Sequence, residues 1–341
     1  MAAHGSLVDF VAADETAAQL LRRTCVDPFF SGVPFVDRHV PLRPGSVVEI
    51  AGPPGSGKTE LLLQMAVSCI LPKTFNGISF GGQEGVAVFM DLDGRFDAMR
   101  LVQVLDRRLA VALGTHQQGS DAVPTSLHEY CLAKFHLIRC HSSYDFLAAL
   151  KVLPRVLSRL EAYGKAKILL VDNIAAFYWL DRAHHSVACK AQHSIGTESK
   201  GASLDPVVPL TMQRVQSSVA DGLKMISSQF QLIVVMSKCV NVTVQQPDNC
   251  NQNQIPRWTY RDMLIPQLEK LLTHRLVVVP CTQLEDTKED TPTPKDRVTG
   301  SDFAAQWQVP PSDWTAKFTV TDGALECDIL RRTDHPRKRP Q

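Results

Sequence analysis

The chain has 341 residues, 44% of them hydrophobic, with 36 Lys and Arg against 35 Asp and Glu and a formal net charge of +1. That is enough apolar material for a large core, and the even balance excludes whole-protein steering of nucleic acid, leaving only local patches for such contacts. Nine cysteines without a C-x-x-C pair argue against a disulfide framework or a structural zinc site. Met1–Gly5 lacks a leader pattern, and no run approaches the ~20 apolar residues of a membrane span, so a soluble intracellular chain is expected.

Residues 1–45 read as an N-terminal helix and linker. Thr16–Arg23 carries Ala17, Leu20 and Leu21 on one face, and Pro28, Pro34, Pro41 and Pro44 punctuate the approach to the core. Phe10-Val11-Ala12-Ala13 has the F-x-x-A form of an aromatic anchor with a small residue, or is simply part of a fraying terminal helix. From Val47 the pattern changes. The runs Val47–Ala51, Val86–Met90, Phe135–Ile138, Ile168–Val171, Leu232–Met236 and Leu276–Val279 are continuous rather than alternating, as strands buried on both faces are. Helical stretches between them predict βαβ crossovers, hence an α/β fold with a mostly parallel central sheet flanked by helices. A core over 46–281, a flexible polar loop over 282–301, C-terminal strands of the core over 302–330 and a basic tail over 331–341 complete the division. His184–Pro209, Thr243–Pro256 and Thr282–Ser301 are polar stretches of the kind that in a compact domain are functional or disordered.

Gly52-Pro53-Pro54-Gly55-Ser56-Gly57-Lys58-Thr59 matches G-x-x-x-x-G-K-[ST] in full, with an apolar run before it and a helical run, Glu60–Ile70, after it. Glycines let successive backbone N–H groups curl around a phosphate, and the helix N-terminus adds its positive dipole. Lys58 is expected on the β- and γ-phosphates and the Thr59 hydroxyl on Mg²⁺. The pattern therefore predicts a nucleoside triphosphate site with magnesium. The following helix is apolar on nearly every side, so it belongs in the core.

A second strand must supply a metal-directed carboxylate. Ile168-Leu169-Leu170-Val171-Asp172 ends an apolar run on Asp172, which is assigned to the metal, directly or through Thr59. Hydrolysis also needs a group that activates water in line with the γ-phosphate. Asp91-Leu92-Asp93-Gly94 follows Val86–Met90, at the strand end where parallel sheets bind ligands. Asp93 is the candidate base; a solvated turn carboxylate is the alternative.

These pieces stand in a familiar order. Ser31-Gly32-Val33-Pro34-Phe35-Val36-Asp37, then Gly45-Ser46-Val47-Val48-Glu49-Ile50, then the P-loop resemble the entry to the eukaryotic RecA-type recombinase core. Asp91-Leu92-Asp93-Gly94-Arg95-Phe96 resembles the segment holding that family's catalytic Glu. Cys69-Ile70-Leu71-Pro72-Lys73, Phe96–Leu101 and Ala176-Phe177-Tyr178-Trp179-Leu180-Asp181-Arg182 are similar to a recombinase paralogue. The resemblance covers roughly 30–280 and implies an ATP-binding RecA-like core. It also implies a hetero-oligomer with other recombinase paralogues, a nuclear role in homologous-recombination repair of double-strand breaks, and contact with single-stranded or branched DNA, directly or through the complex. His184–Pro209 and Thr243–Pro256 would then lie where the family's DNA-facing loops occur.

Two departures point to a slow ATPase at most. The family's catalytic Glu is replaced by Asp93, which draws the carboxylate back by about 1.5 Å, where displacements of this order cost ~100-fold. The γ-phosphate-sensing Gln at the end of Leu232–Met236 is replaced by Cys239, a thiol that does not match an amide's paired donor and acceptor. The full-length recombinases also have an N-terminal helical domain, so a terminal position in an assembly is expected here. Lys190, Lys200, Arg257 and Arg261, with Trp258 and Tyr260, either contact a DNA strand or, for the aromatics, anchor a loop to the core. The tail Arg331-Arg332…Arg337-Lys338-Arg339 reads as a nuclear address, a phosphate contact or a solvated end. A small-molecule phosphotransferase or ATPase is the alternative function, but no Arg-dense lid lies between the P-loop and Asp172.

Overall fold

The structure, a computed structural model, describes residues 16–18, 21, 28–114, 124–183, 211–245, 257–264, 266–282, 301–321 and 325–330. In chain order the elements begin with α1 (Pro34–Asp37), β1 (Val47–Gly52), α2 (Lys58–Ile70), β2 (Thr74–Phe75), β3 (Ile78–Ser79), β4 (Val86–Asp91) and α3 (Ala98–Leu113). Then follow α4 (Thr125–Leu132), β5 (Phe135–Arg139), α5 (Ser143–Leu160), β6 (Ala166–Asp172), α6 (Met212–Gln229) and β7 (Ile233–Cys239). The last are β8 (Val242–Gln245), β9 (Arg257–Tyr260), α7 (Pro266–Leu271), β10 (His274–Pro280), β11 (Ser301–Val309), β12 (Thr315–Val320) and β13 (Leu325–Leu330).

All six apolar runs are strands, and they form the parallel part of one nine-stranded sheet ordered β13-β12-β11-β10-β1-β7-β6-β4-β5. β10, β1, β7, β6, β4 and β5 pair in parallel. β11, β12 and β13 continue the same sheet as an antiparallel meander. Every residue of β1 and β4 is buried, which is why their sequences show no alternation. α2 and α3 cover one face, where Leu62, Met65 and Leu105 pack against Phe89. α5 and α6 cover the other, with Leu150, Leu153 and Leu223 against Leu169 and Val234.

Among the described residues side-chain caps start three helices: Asp97 accepts from Met99 N and Arg100 N, Ser142 from Asp145 N, and Thr211 from Arg214 N. α2 has no side-chain cap; it begins at Gly57 with φ +78°.

Residues 28–45 differ from the linker expected there. Phe29 bridges to Leu42, and Val33, Phe35 and Val36 are fully buried. The Phe35 ring lies 5.2 Å from that of Phe318, tilted by 30°, and its carbonyl accepts from Trp307 Nε1, so the segment packs against the antiparallel strands. The β8–β9 hairpin was also not anticipated. Its Trp258 is 3% exposed against Val240, Val277 and Val279, so of the two roles considered this ring takes the anchoring one. Phe10–Ala13, Lys190, Lys200, residues 184–209, 246–256 and 283–300, and the basic tail lie outside the described residues. Among the described residues no helix is long and apolar enough to cross a membrane.

Candidate functional site

The parallel strands bring the predicted residues to one edge of the sheet. Gly52 at the end of β1 pairs in register with Cys239 at the end of β7, and Asp91 at the end of β4 pairs with Asp172 at the end of β6. All four sit at C-terminal strand ends, where such sheets form clefts. The cleft has a volume of about 420 Å³ and is lined by Pro54–Glu60 together with Asp93, Arg95, Asp172, Asn173, Ser237, Cys239, Phe303 and Val320.

The loop Gly52–Thr59 needs its glycines. A Cβ on Gly52 would lie 2.2 Å from the Val278 carbonyl oxygen, and Gly55 and Gly57 have φ of +71° and +78°. Lys58 is buried and folds back on the loop, donating to Gly52 O at 3.0 Å, Pro53 O at 2.7 Å and Ser56 Oγ at 3.3 Å. Burial pushes its ammonium below the usual lysine range, while Cys239, Asp172 and Asp93 pull the other way.

Thr59 Oγ1 donates to Asp172 Oδ2 at 2.7 Å, and Ser237 Oγ donates to Asp172 Oδ1. Asp172 is 3% exposed and thus held at both oxygens on the floor of the cleft. A hydroxyl and a carboxylate beside a glycine cradle form the oxygen donor set that a hard divalent cation takes together with phosphate oxygens. The residues therefore fit magnesium and a triphosphate.

Asp93 stands at the rim, its side chain 24% exposed, with Arg95 Nε 3.8 Å away. Partial burial raises its carboxyl above the usual aspartate range; Asp172 and Asp91 add to this and Arg95 opposes it. The turn that carries Asp93 is built by Asp91, whose carboxylate accepts from Gly94 N at 2.9 Å, Arg95 N at 3.2 Å and Phe96 N at 3.3 Å.

Several contributors were missed from sequence: Asp91, Asn173, Ser237, Glu60 with Arg100, Phe303 and Val320. Asn173 Oδ1 accepts from Cys239 N at 3.2 Å and Ala175 N at 3.1 Å, holding the strand end that presents Cys239. Asn173 directly follows the predicted carboxylate, and that adjacency was the available signal. For Phe303 and Val320 there was none, because they reach the loop only through the sheet.

Behind the loop lies a buried ionic cluster. Lys238 Nζ donates to Glu49 Oε2 at 2.9 Å and to Asp262, Arg275 Nε donates to Glu49 Oε1 at 2.9 Å, and Tyr260 Oη donates to Glu49. Lys238 is 1% exposed. The cluster joins β1, β7, β9 and β10, and its Lys238 directly precedes the cleft-lining Cys239.

Among known proteins, the Rad51 family model matches residues 39–114. The DNA repair protein XRCC2 homolog of Arabidopsis thaliana is 31% identical over 303 residues, 79% of this chain and 78% of that protein. DNA repair protein XRCC2 of Mus musculus is 35% identical over 160 residues, 47% of this chain and 50% of that protein. DNA repair protein RAD51 homolog 3 of Cricetulus griseus is 33% identical over 132 residues, 37% and 34% of the two chains.

Proposed function

The chain belongs to the Rad51 family of DNA repair proteins, with XRCC2 and the RAD51 homologues, and on that premise we propose that its cleft binds ATP with Mg²⁺ as the nucleotide clamp of a recombinase-paralogue complex. It is a RecA-like recombinase paralogue of DNA repair. The observation that carries the nucleotide reading is the Thr59–Asp172 hydrogen bond at the head of a glycine cradle that already encloses the Lys58 ammonium. Loop N–H groups and the N-terminus of α2 would hold the phosphates. Lys58 would turn from its own carbonyls to them, and Thr59 and Asp172 would hold the metal. Held there, magnesium would supply neutralisation of the phosphate charge. Among the described residues Asp93 is the rim carboxylate assigned to orient a water, on a side chain one methylene short, so turnover is slow.

The complex is a hetero-oligomer with other recombinase paralogues, working in the nucleus on single-stranded or branched DNA in homologous-recombination repair of double-strand breaks. Family membership sets the small-molecule phosphotransferase aside. The test is to purify the chain with candidate paralogue partners, then measure nucleotide affinity with and without magnesium and ATP turnover with and without single-stranded DNA. Magnesium-dependent binding with co-purifying partners is expected. Turnover that requires a small-molecule acceptor would overturn the proposal.

A further inference from the structure

Among the described residues that line the cleft, Lys58 and Arg95 are the cations, and they are held in opposite ways. Lys58 is buried behind three hydrogen bonds to its own loop. Arg95 rises from the turn after β4 with its side chain 76% exposed. Among the described residues its guanidinium has one ion pair and no hydrogen bond, and that ion pair is loose, Nε to Asp93 Oδ2 at 3.8 Å. Arg100 and Arg275, by contrast, are each engaged by a glutamate at 2.9 Å. The root of Arg95 is fixed, because its backbone N–H donates to Asp91 Oδ1 at 3.2 Å and the Gly94 and Phe96 N–H groups go to the same carboxylate. Its charge is felt inside the cleft. Burial is the main cause that lowers the Lys58 pKa, and the Arg95 charge lowers it further. Two cations that disfavour one another in this way are relieved by an anion placed between them.

We propose that Arg95 is a γ-phosphate contact of the cleft: its guanidinium leaves Asp93 for the terminal phosphate and makes the chain prefer nucleoside triphosphate to diphosphate. The inference rests on the nucleotide reading above and adds to it a residue that lies outside the P-loop pattern. Thr59 and Asp172 direct the metal to the end of the cleft where Asp93 also stands. The last phosphate of a bound triphosphate therefore arrives beside a carboxylate of like charge. A cation next to both offsets that repulsion, and Arg95 is already there. The planar guanidinium fork matches phosphate oxygens pairwise, so it gains more from a phosphate than from one 3.8 Å contact with Asp93. Cys239 stands where the γ-phosphate-sensing glutamine of the family is expected, and its thiol does not match an amide. Arg95 supplies triphosphate recognition from the turn after β4, with β6 lying between β4 and the strand that carries Cys239.

Calorimetric titration of the full chain with ATP and with ADP, each with magnesium, tests this in the wild type, Arg95→Ala and Arg95→Lys. The wild type should prefer ATP by about tenfold or more, the strength of hydrogen bonds from charged groups to the extra phosphate. Arg95→Ala should weaken ATP by about tenfold or more and leave ADP within about twofold, so that the preference collapses. Arg95→Lys should recover part of it, because the charge returns without the fork. The side chain is largely exposed, so the ligand-free variants should melt with the wild type, which separates lost recognition from lost folding. A purely structural role would move both nucleotides together. Equal loss of ATP and ADP in Arg95→Ala, an ATP affinity there within about twofold of wild type, or a wild type that binds both nucleotides alike would overturn the assignment. Binding of neither nucleotide to the wild type would instead remove the nucleotide reading, and the role of Arg95 with it.

Discussion

Lys58→Ala is the sharpest perturbation of the phosphate cradle. In the free protein the ammonium is already desolvated and donates to Gly52 O, Pro53 O and Ser56 Oγ at 2.7–3.3 Å. Most of the cost of burying it is therefore met before a ligand arrives, and a phosphate only has to replace those loop oxygens. Hydrogen bonds to a charged group contribute about 1.5–3 kcal/mol, so truncation should weaken nucleotide by about 10- to 150-fold at 1.4 kcal/mol per decade. The same loss shows in melting experiments. At about 100 times the wild-type Kd, ligand stabilises the wild type by about 2.7 kcal/mol; a variant binding 30-fold more weakly gains only about 0.9 kcal/mol at that concentration. The assay is magnesium-dependent calorimetric titration paired with thermal melting of free and nucleotide-loaded protein. Lys58→Arg serves as a control that keeps the charge but offers a planar, bulkier head. An affinity within about twofold of wild type, in a Lys58→Ala protein that melts normally without ligand, would refute the assignment.

Lys238→Met should cost about 3–5 kcal/mol in urea unfolding, because Glu49 and Asp262 lose a fully buried partner and Arg275 is left as the main counter-charge; a loss under about 1 kcal/mol would show the cluster to be redundant. His274 is buried, its Nε2 has no partner among the described residues, and burial followed by His39 lowers its pKa below the ordinary 6.5. The unfolded chain therefore binds the proton first, so stability present above pH 6.5 should fall as pH drops below it, by up to about 1.4 kcal/mol per pH unit; His274→Gln should flatten that limb of a urea-midpoint profile, and an unchanged slope would exclude this ring as its source. Asp93→Glu should raise ATP turnover by roughly ten- to a hundredfold with nucleotide affinity unchanged, and flat turnover at normal affinity would remove Asp93 as the water-orienting group.

What could be read from the sequence was whatever chemistry writes locally. Strands buried on both faces must be apolar throughout, so β1, β4 and β6 show as unbroken runs, and a phosphate cradle must be glycine, lysine and hydroxyl in succession. Asp172 was legible because a carboxylate ending such a run has few other uses. The remainder depends on contacts distant in sequence. Phe303 meets Gly57 only because β11 joins the sheet beside β10. Glu49 and Lys238 look like interruptions of apolar strands until the sheet places them side by side with Arg275. Trp258 sits beside a Gln- and Asn-rich stretch that advertises a solvated loop, and the pairing of β9 with β8 turns it inward. Residues 28–45 carry four prolines and read as a tether, yet Phe35 and Val36 pack under strands almost three hundred positions later.

Holding a triphosphate and turning it over make demands on different elements of this fold. The residues proposed to hold it sit on β1, β6, β7 and the start of α2, and are locked to one another by Thr59–Asp172, Ser237–Asp172 and the Lys58 bonds. The candidate base sits on the turn after β4, which meets these residues through its backbone, Leu92 N donating to Asp172 O at 2.6 Å. That turn is itself rigid. The 1% exposed Asp91 carboxylate ties down the backbone N–H groups of Gly94, Arg95 and Phe96, and the Phe96 ring is packed against Phe89 at 5.2 Å and Phe135 at 5.4 Å. The backbone therefore cannot advance by the about 1.5 Å that a missing methylene removes. Any shortfall in reach stays where the side chain leaves it, about 1.5 Å back from where glutamate would place it. Substitution at position 93 is thus expected to slow hydrolysis without loosening the cradle, because the hydrogen bond that joins the two parts, Leu92 N to Asp172 O at 2.6 Å, is made by backbone atoms and does not depend on the side chain at 93.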